Sequence, residues 1–358
     1  MKIAILAPPW IALPPEGYGG TERVIANLTD GLVKKGHEVM LFATGDSKTA
    51  ARLEFYHEKA LGNNWRVKQN HYLILQHIHK FLQIVKNENF DIIHNHASYT
   101  PLFFLDLQAW PFITTLHGAY NLQLLDLERE DDKDLQIKRE ILDKFRNQPF
   151  ISISNQQRLG FPQLNYIKTV YNGIDPQKFR AGQGKGGYLT WLGRASPKKG
   201  LNIAIDVATK TGIPLKIAAF VDELDKKYFD LSIKPLIEAN KNIEFVGELR
   251  SDEAKNNFFA GSIGTLFPLL WDEPFGIVMI ESMACGTPVI AFNKGSVPEV
   301  IEDGKTGFIV ETEDEMLKKV SQIENIDRNY CYQYAISRFS VEKMVDDYLE
   351  AYKIVLQK

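Results

Sequence analysis

Short apolar runs recur along the chain, and between them lie longer segments whose apolar positions return every three or four residues. In the first half the runs predict strands over residues 3–7, 38–44, 91–96, 112–117, 150–154 and 167–171. Helical periodicity predicts a helix opening at Thr21 as N-cap, with Val24, Ile25, Leu28 and Leu32 as its stripe and Gly36 as its stop. A second helix is expected over 72–86, with Leu75, Ile78, Leu82 and Val85 on one face, and a charged one over about 121–146. Residues 46–70 show no readable period. The alternation restarts after turn-forming residues 172–176, with strands over 188–192, 215–220, 243–246, 265–269, 289–292 and 308–310. Helices are expected over 201–211, 225–239 and 252–260, with Ser340 capping a last one over 341–356. Runs of β-branched residues alternating with helices predict an α/β protein with two Rossmann-like parallel-sheet domains and a ligand cleft between them. The Gly-rich stretch AGQGKGG, 181–187, is the expected linker.

Composition narrows this picture by exclusion. A length of 358 residues suits two domains. A net charge of −3 argues neither for nucleic acid nor for an anionic membrane surface, and no nucleic-acid partner is expected. Two cysteines, Cys285 and Cys331, without a CxxC pattern or a Cys/His cluster, argue against a disulfide framework and a zinc site. The opening MKIAILAPPW reads as a strand, since prolines end its apolar run too soon for a signal peptide. No run approaches the ~18 apolar residues of a membrane span, so a cytoplasmic location is expected.

Candidate chemistry concentrates in EPFGIVMIESMACG, where Glu273 and Glu281 are separated by seven residues. Pro274 is expected to open a helix and Gly286 to end it. A fully helical interval would set the two carboxylates roughly 12 Å apart along the axis, the span of a sugar, a pyrophosphate and a ribose. The N–H groups of Phe275, Gly276 and Ile277 would point at whatever Glu273 touches. The run is too apolar to offer both Glu residues a solvated face. Gly193-Arg194 ends a predicted strand, and Lys198-Lys199-Gly200 precedes a helix, which makes a place for a pyrophosphate. An ordinary charged loop would leave the same trace.

Gly19-Gly20 follows the first strand and opens a helix, so a phosphate or sugar could approach the bare backbone; a tight turn is the plainer account. His117 ends FITTLH and is the expected substrate contact. His94 and His96 end DIIHNH; without a nearby third ligand they read as cleft-lining or core residues and not as metal ligands. The glycines of 182–187 precede a strand instead of following one, the wrong context for a dinucleotide fingerprint. Asp132-Lys133-Asp134 matches an Asp-x-Asp metal pattern but lies in the charge run EREDDKD, which reads as a solvated helix face.

The motifs PPEGYGGTERV, TLHG, VYNGID, GRASPKKG, FVGEL, EPFGIVMIE and FSVEKMVDDYLEAY together resemble glycosyltransferase family 4, the retaining, metal-independent sugar-nucleotide transferases of GT-B fold. The likeness spans nearly the whole chain. It implies a GT-B fold with an acceptor-side domain over 1–175, a donor-binding domain over 176–340, and a C-terminal helix, 341–358, crossing back to the first domain. It implies that Glu281 binds the ribose and that Arg194 and Lys199 neutralise the pyrophosphate and the departing phosphate. Glu273, with the N–H groups of Phe275, Gly276 and Ile277, would hold donor-sugar hydroxyls. Gly19 and Gly20 would lie near the phosphates, Val246 and Leu249 beside the base, and His117 against the sugar. His117, Glu273, Arg194 and Lys199 are thus the expected catalytic set.

The expected reaction moves a sugar from a nucleotide-diphosphate donor, a UDP-sugar or GDP-mannose, to a hydroxyl of a glycan, lipid or small metabolite. Neither cofactor nor metal is expected, the nucleotide-sugar being a co-substrate. An integral membrane segment is not expected, whereas peripheral membrane contact stays open. A GT-B-like epimerase or phosphorylase would need carboxylates and a His placed for proton work, or a second anion site, and neither set is evident. A non-catalytic nucleotide-sugar binder would be expected to lack His117 or the cations. A nicotinamide enzyme would need a correctly placed GxGxxG.

Overall fold

A computed structural model describes residues 1–62, 64–107, 110–120 and 135–357. The chain forms two compact units. The first comprises Met1–Pro15, Gly19–Gly173 and Val341–Lys358; the second comprises Glu16–Tyr18 and Ile174–Ser340.

The first unit is built on seven parallel strands. They are β1 Lys2–Leu6, β2 Glu38–Ala43, β3 Arg52–Phe55, β4 Ile92–Asn95, β5 Phe112–Thr115, β6 Phe150–Ser152 and β7 Tyr166–Thr169, in the order β3-β2-β1-β4-β5-β6-β7. In register, Ile3 faces Val39 on one side and Ile92 on the other. Strands covered on both faces need unbroken apolar runs, and β1, β2 and β5 are buried almost throughout. Leu6, Phe42, Ile78, Phe81, Ile93 and Phe150 form the centre of the core.

The helices of this unit depart from the periodicity in detail. Helix α1 runs Gly20–Lys34 with Gly19 as N-cap, so Thr21 lies inside the helix and does not cap it. Helix α2, His71–Asn87, buries Ile74, His77, Ile78, Phe81 and Val85. Its inward face is therefore turned from the expected one, and Leu75 is exposed. The aromatic Phe81 and the hydrogen-bonded His77 win the core. The unreadable stretch 46–70 contains the edge strand β3 and a short helix, Trp65–Lys68. Of the expected helix over 121–146, Leu135–Lys144 is helical. Residues 121–134, with Asp132 and Asp134, lie outside the described residues.

The second unit holds β8 Leu189–Arg194, β9 Leu215–Phe220, β10 Ile243–Gly247, β11 Gly264–Phe267, β12 Val289–Phe292 and β13 Gly307–Val310. The order is β10-β9-β8-β11-β12-β13, all parallel. Its helices include α3 Leu201–Thr211, α4 Asp252–Ala260, α5 Ile277–Ala284 and α6 Arg328–Phe339. The single helix expected over 225–239 is broken into a 3-10 turn, an α turn, a π segment Phe229–Ile233 and a last helix Lys234–Glu238.

The Gly-rich stretch 181–187 is not a linker. Gly182 N–H donates to Cys285 O at 2.9 Å, Gly184 to Ala260 O at 3.1 Å and Gly186 to Gly261 O at 2.9 Å. Arg328 on α6 donates to Gly182 O as well. Small residues are needed here because the backbone runs against other backbone. The last helix, α7 Val341–Leu356, belongs to the first unit and buries Met344, Val345, Tyr348, Ala351 and Tyr352.

Candidate functional site

In the second unit the strand order reverses between β8 and β11, and ligands of open parallel sheets bind at the carboxyl ends beside such a reversal. Arg194 is the last residue of β8, and the loop after it carries Lys198 and Lys199; the loop after β11 carries Trp271, Glu273 and Phe275. These loops are joined. Leu270 N–H donates to Lys198 O at 2.9 Å. Gly200 takes φ 65°, and a Cβ there would meet Pro268 O at 1.9 Å. No other residue allows that approach while opening α3.

Lys199 forms an ion pair with Glu273 and stands 5.1 Å over the Trp271 ring. Glu273 is held through its backbone. Ser296 N–H donates to Glu273 O at 3.0 Å, and Gly295 N–H donates to the Asp272 carboxylate at 3.1 Å. A Cβ on Gly295 would lie 2.4 Å from both the N and the O of Glu273. Arg194 pairs with the buried Asp225 and lies 4.0 Å from Asp222. Burial works against its charge, but Asp225 and Asp222 outweigh burial and hold the guanidinium above its ordinary pKa.

Helix α5 begins later than the proline suggested. Gly276 is its N-cap and Ile277 its first residue, so Pro274 and Phe275 belong to the preceding loop. The assumption of a fully helical interval between Glu273 and Glu281 fails with it, and so does the axial spacing built on that assumption. Only Ile277 of the three expected N–H groups lies in the first turn. The Phe275 side chain is an anchor in the core, 5.8 Å from the Phe339 ring, and its carbonyl accepts from Ser296 Oγ at 2.8 Å. The helix ends at Cys285 with Gly286 following, as expected.

Glu281 is 1% exposed. Its Oε1 takes Lys255 Nζ at 2.8 Å, while Oε2 has no hydrogen-bond partner among the described residues. A polar oxygen left unpaired in the interior is costly, so this one has an unused capacity to accept a hydrogen bond. Nearby, burial first and the Glu281 charge second push the Cys285 thiol up to about 12, which leaves it inert.

Val246 sits where the pairing of β10 with β9 slips between Phe245 and Gly247; Leu249 follows in the loop, and both are half-buried. Such irregularities re-aim side chains beside sites. Between them, Glu248 accepts from Tyr18 N–H at 2.7 Å, and the Tyr18 ring stacks on Phe220 with centroids 4.7 Å apart.

In the first unit the order reverses between β1 and β4; Gly19-Gly20 opens α1 after the loop that follows β1, and His94, His96 and His117 lie together at the carboxyl ends of β4 and β5. His96 Nδ1 lies 2.9 Å from His117 Nε2, and His96 Nε2 lies 3.3 Å from His94 Nδ1. His94 Nε2 meets Thr115 Oγ1 at 2.7 Å, and His94 Nδ1 meets the Tyr352 hydroxyl at 2.7 Å. His94 and His96 are therefore core residues. Burial drives both well below the ordinary imidazole range and pushes His117 down to about 4. All three imidazoles are neutral at pH 7. Among the described residues no group of three or more His, Cys, Asp or Glu could hold a metal ion. No described helix is long and apolar enough to cross a membrane.

Sequence reasoning missed Lys255, Asp222 and Asp225, the Gly295-Ser296 clamp, and Tyr348 and Tyr352 behind the histidines. The carboxylates of VDELD directly after a strand were a usable signal for Arg194's partners. Nothing local marks Lys255, which is one lysine on a polar helix.

Two Rossmann-like parallel-sheet units, each with a reversal of strand order, are the architecture of the GT-B fold. The chain belongs to glycosyltransferase family 4: residues 18–178 match the family model of that name, and residues 175–338 match "Glycosyl transferases group 1". It is 25% identical over 375 residues to N-acetyl-alpha-D-glucosaminyl L-malate synthase of Bacillus anthracis, covering 95% of each chain. Its fold is similar to sucrose-phosphate synthase of Thermosynechococcus elongatus, with a TM-score of 0.81 and 16% identity over 100% of this chain and 99% of that one. It is also similar to HepE of Anabaena, solved in complex with UDP and glucose, with a TM-score of 0.75 and 17% identity over 99% of this chain and 100% of the other.

Proposed function

We propose that this glycosyltransferase moves a sugar from a nucleoside diphosphate to an acceptor hydroxyl with retention at the anomeric carbon and without a metal. The observation that carries the reading is Glu281, a buried carboxylate with one oxygen on Lys255 and the other lacking a partner among the described residues. A ribose supplies the hydroxyl that such an oxygen accepts from. Glu273 holds hydroxyls of the donor sugar, helped by the N–H groups around Gly276. Val246 and Leu249 flank the base, and Gly19 and Gly20 accommodate the phosphates. His117 contacts the sugar. Uridine is the base favoured, in keeping with the UDP complex of HepE.

Arg194 and Lys199 supply the electrostatics. As the bond from the anomeric carbon to the phosphate oxygen breaks, negative charge grows on the phosphate and positive charge on the sugar. Cations fixed before the reaction stabilise that charge without reorganising solvent. Lys199 exchanges Glu273 for the phosphate, which releases Glu273 to the sugar. The acceptor oxygen bonds to the anomeric carbon from the leaving group's own face, and its proton passes to the departing phosphate. No carboxylate among these residues is assigned as a nucleophile, which distinguishes this path from double displacement.

A thermal-shift screen of nucleoside diphosphates and their sugars tests the reading, since a ligand that binds only the native state raises its stability. A UDP-selective shift supports it, and no shift with any nucleoside diphosphate rejects it. The product anomer tests the stereochemistry: an inverted product rules out the same-face displacement.

A further inference from the structure

The three histidines of the first unit, with Thr115, Tyr348 and Tyr352, form a chain of hydrogen bonds in which each contact fixes the next. Thr115 Oγ1 donates to the Tyr348 hydroxyl at 3.3 Å. A hydroxyl has one proton, so Thr115 must accept at its 2.7 Å contact with His94 Nε2. His94 therefore carries its proton on Nε2. Its Nδ1 is a lone pair, which accepts from Tyr352 at 2.7 Å. His96 Nε2 faces that same lone pair at 3.3 Å, and two lone pairs repel, so His96 is protonated on Nε2. Its Nδ1 is then an acceptor, and at 2.9 Å it takes the Nε2–H of His117.

We infer that this chain sets the tautomer of His117, leaving its Nδ1 as a hydrogen-bond acceptor, and that His96 and Thr115 are positioning residues for it. The consequence, which rests on the transferase reading above, is that His117 accepts from a hydroxyl of the sugar and does not donate to one. The site would then reject a donor sugar whose matching group cannot give a proton. The burial that keeps the rings neutral makes the tautomer the deciding variable, since a charged imidazole would donate from both nitrogens.

The test is direct. Long-range proton–nitrogen correlation spectra of the free, uniformly labelled protein at pH 7 distinguish the two ring nitrogens of each histidine, because the bare nitrogen resonates far downfield of the protonated one. The expected result is Nε2–H for His94, His96 and His117. Thr115→Val removes the acceptor for His94. His94 then turns its proton to Nδ1 and donates to Tyr352, and His96 and His117 invert in sequence. Tyr348→Phe keeps the ring's volume and frees the Thr115 proton to donate to His94, which shifts the same equilibrium should the valine variant not fold. Nδ1–H on His117 in the unaltered protein, or no change of tautomer in whichever of these variants folds, overturns the inference. These readouts need no substrate, so they stand apart from the transferase reading. With a donor found by the thermal-shift screen, inversion is expected to lower turnover roughly tenfold, the size of one lost hydrogen bond. Inverted tautomers with unchanged turnover would overturn the role in transfer.

Discussion

Lys255 Nζ lies 2.8 Å from Glu281 Oε1, with the two side chains 9% and 1% exposed. The pair comes from two helices, α4 and α5, that nothing in the local sequence connects. Its geometry divides the Glu281 carboxylate into an oxygen held by Lys255 and one without a hydrogen-bond partner among the described residues. Burying two charges is expensive, so the pair fixes geometry more than it adds stability. Removing one partner alone strands the other in the interior.

Glu281→Gln is therefore the informative change at this position. Glutamine keeps an oxygen for Lys255 but forfeits the charge that strengthens a hydrogen bond to a hydroxyl, worth roughly 1.5–3 kcal/mol. Affinity for bare UDP, measured by titration calorimetry, is expected to fall about tenfold to a hundredfold, while turnover at saturating donor falls less. Unchanged UDP affinity would end the ribose assignment. Glu281→Ala is expected to cost about 3–5 kcal/mol of stability in urea unfolding, because Lys255 is left buried and alone.

Lys199→Ala separates charge from fold. The side chain is 21% exposed and that of Glu273 15%, so removing it leaves a mostly buried carboxylate unpaired at a cost of about 1–3 kcal/mol. The melting temperature should fall by only a few degrees, with the fold kept. Turnover should drop by a factor of roughly 10²–10³, the range for removing one group that stabilises transition-state charge. A full-speed Lys199→Ala enzyme would place the pyrophosphate elsewhere.

Gly200→Ala tests how the loops after β8 and β11 are joined. A methyl group would face Pro268 O at 1.9 Å, from a backbone with φ 65°. Gly212 offers the control, with φ 71° and nothing within 4 Å of its missing Cβ. Gly212→Ala is expected to cost about 1–2 kcal/mol, the backbone term alone. Gly200→Ala should cost several kcal/mol and also lower turnover, since Lys199 is the preceding residue. Equal destabilisation of the two variants in urea would show that the contact relaxes freely.

The strands were legible because a doubly covered parallel sheet demands continuous apolar runs, and 215–220 and 289–292 coincide with β9 and β12. Helix α7 was legible from end to end for the complementary reason, a strong amphipathic period. Stretch 46–70 was opaque because β3 is an edge strand with exposed ends, where packing imposes little pattern. Pro274 misled because proline serves a loop turn as well as a first helical turn. At the site, Arg194, Lys199, Glu273 and Glu281 stood out as charges beside strand ends and within apolar runs. Their partners did not, since Asp225, Lys255 and Ser296 reach them only through tertiary packing.

The buried imidazoles also predict how stability depends on pH. Burial lowers His77 to about 3 and His117 to about 4, and drives His94 and His96 well below the ordinary value. In the unfolded chain each titrates near 6.5. Between roughly pH 4 and 6.5 the unfolded state therefore binds more protons, so stability rises with pH and is lost as pH falls below about 6.5. Each group contributes up to about 1.4 kcal/mol per pH unit in that window. Glu22 acts in the opposite sense, because burial raises its carboxyl above the usual range, but it is one group against four. The surface carboxylate Glu88, held down by Arg52 and Lys2, adds its own loss only near and below pH 4.5. Urea unfolding at pH 7, 6 and 5 is thus expected to show a steep loss of stability well above the carboxylate range. A midpoint that stays flat from pH 7 to pH 5 would mean that these histidines take up protons in the folded state.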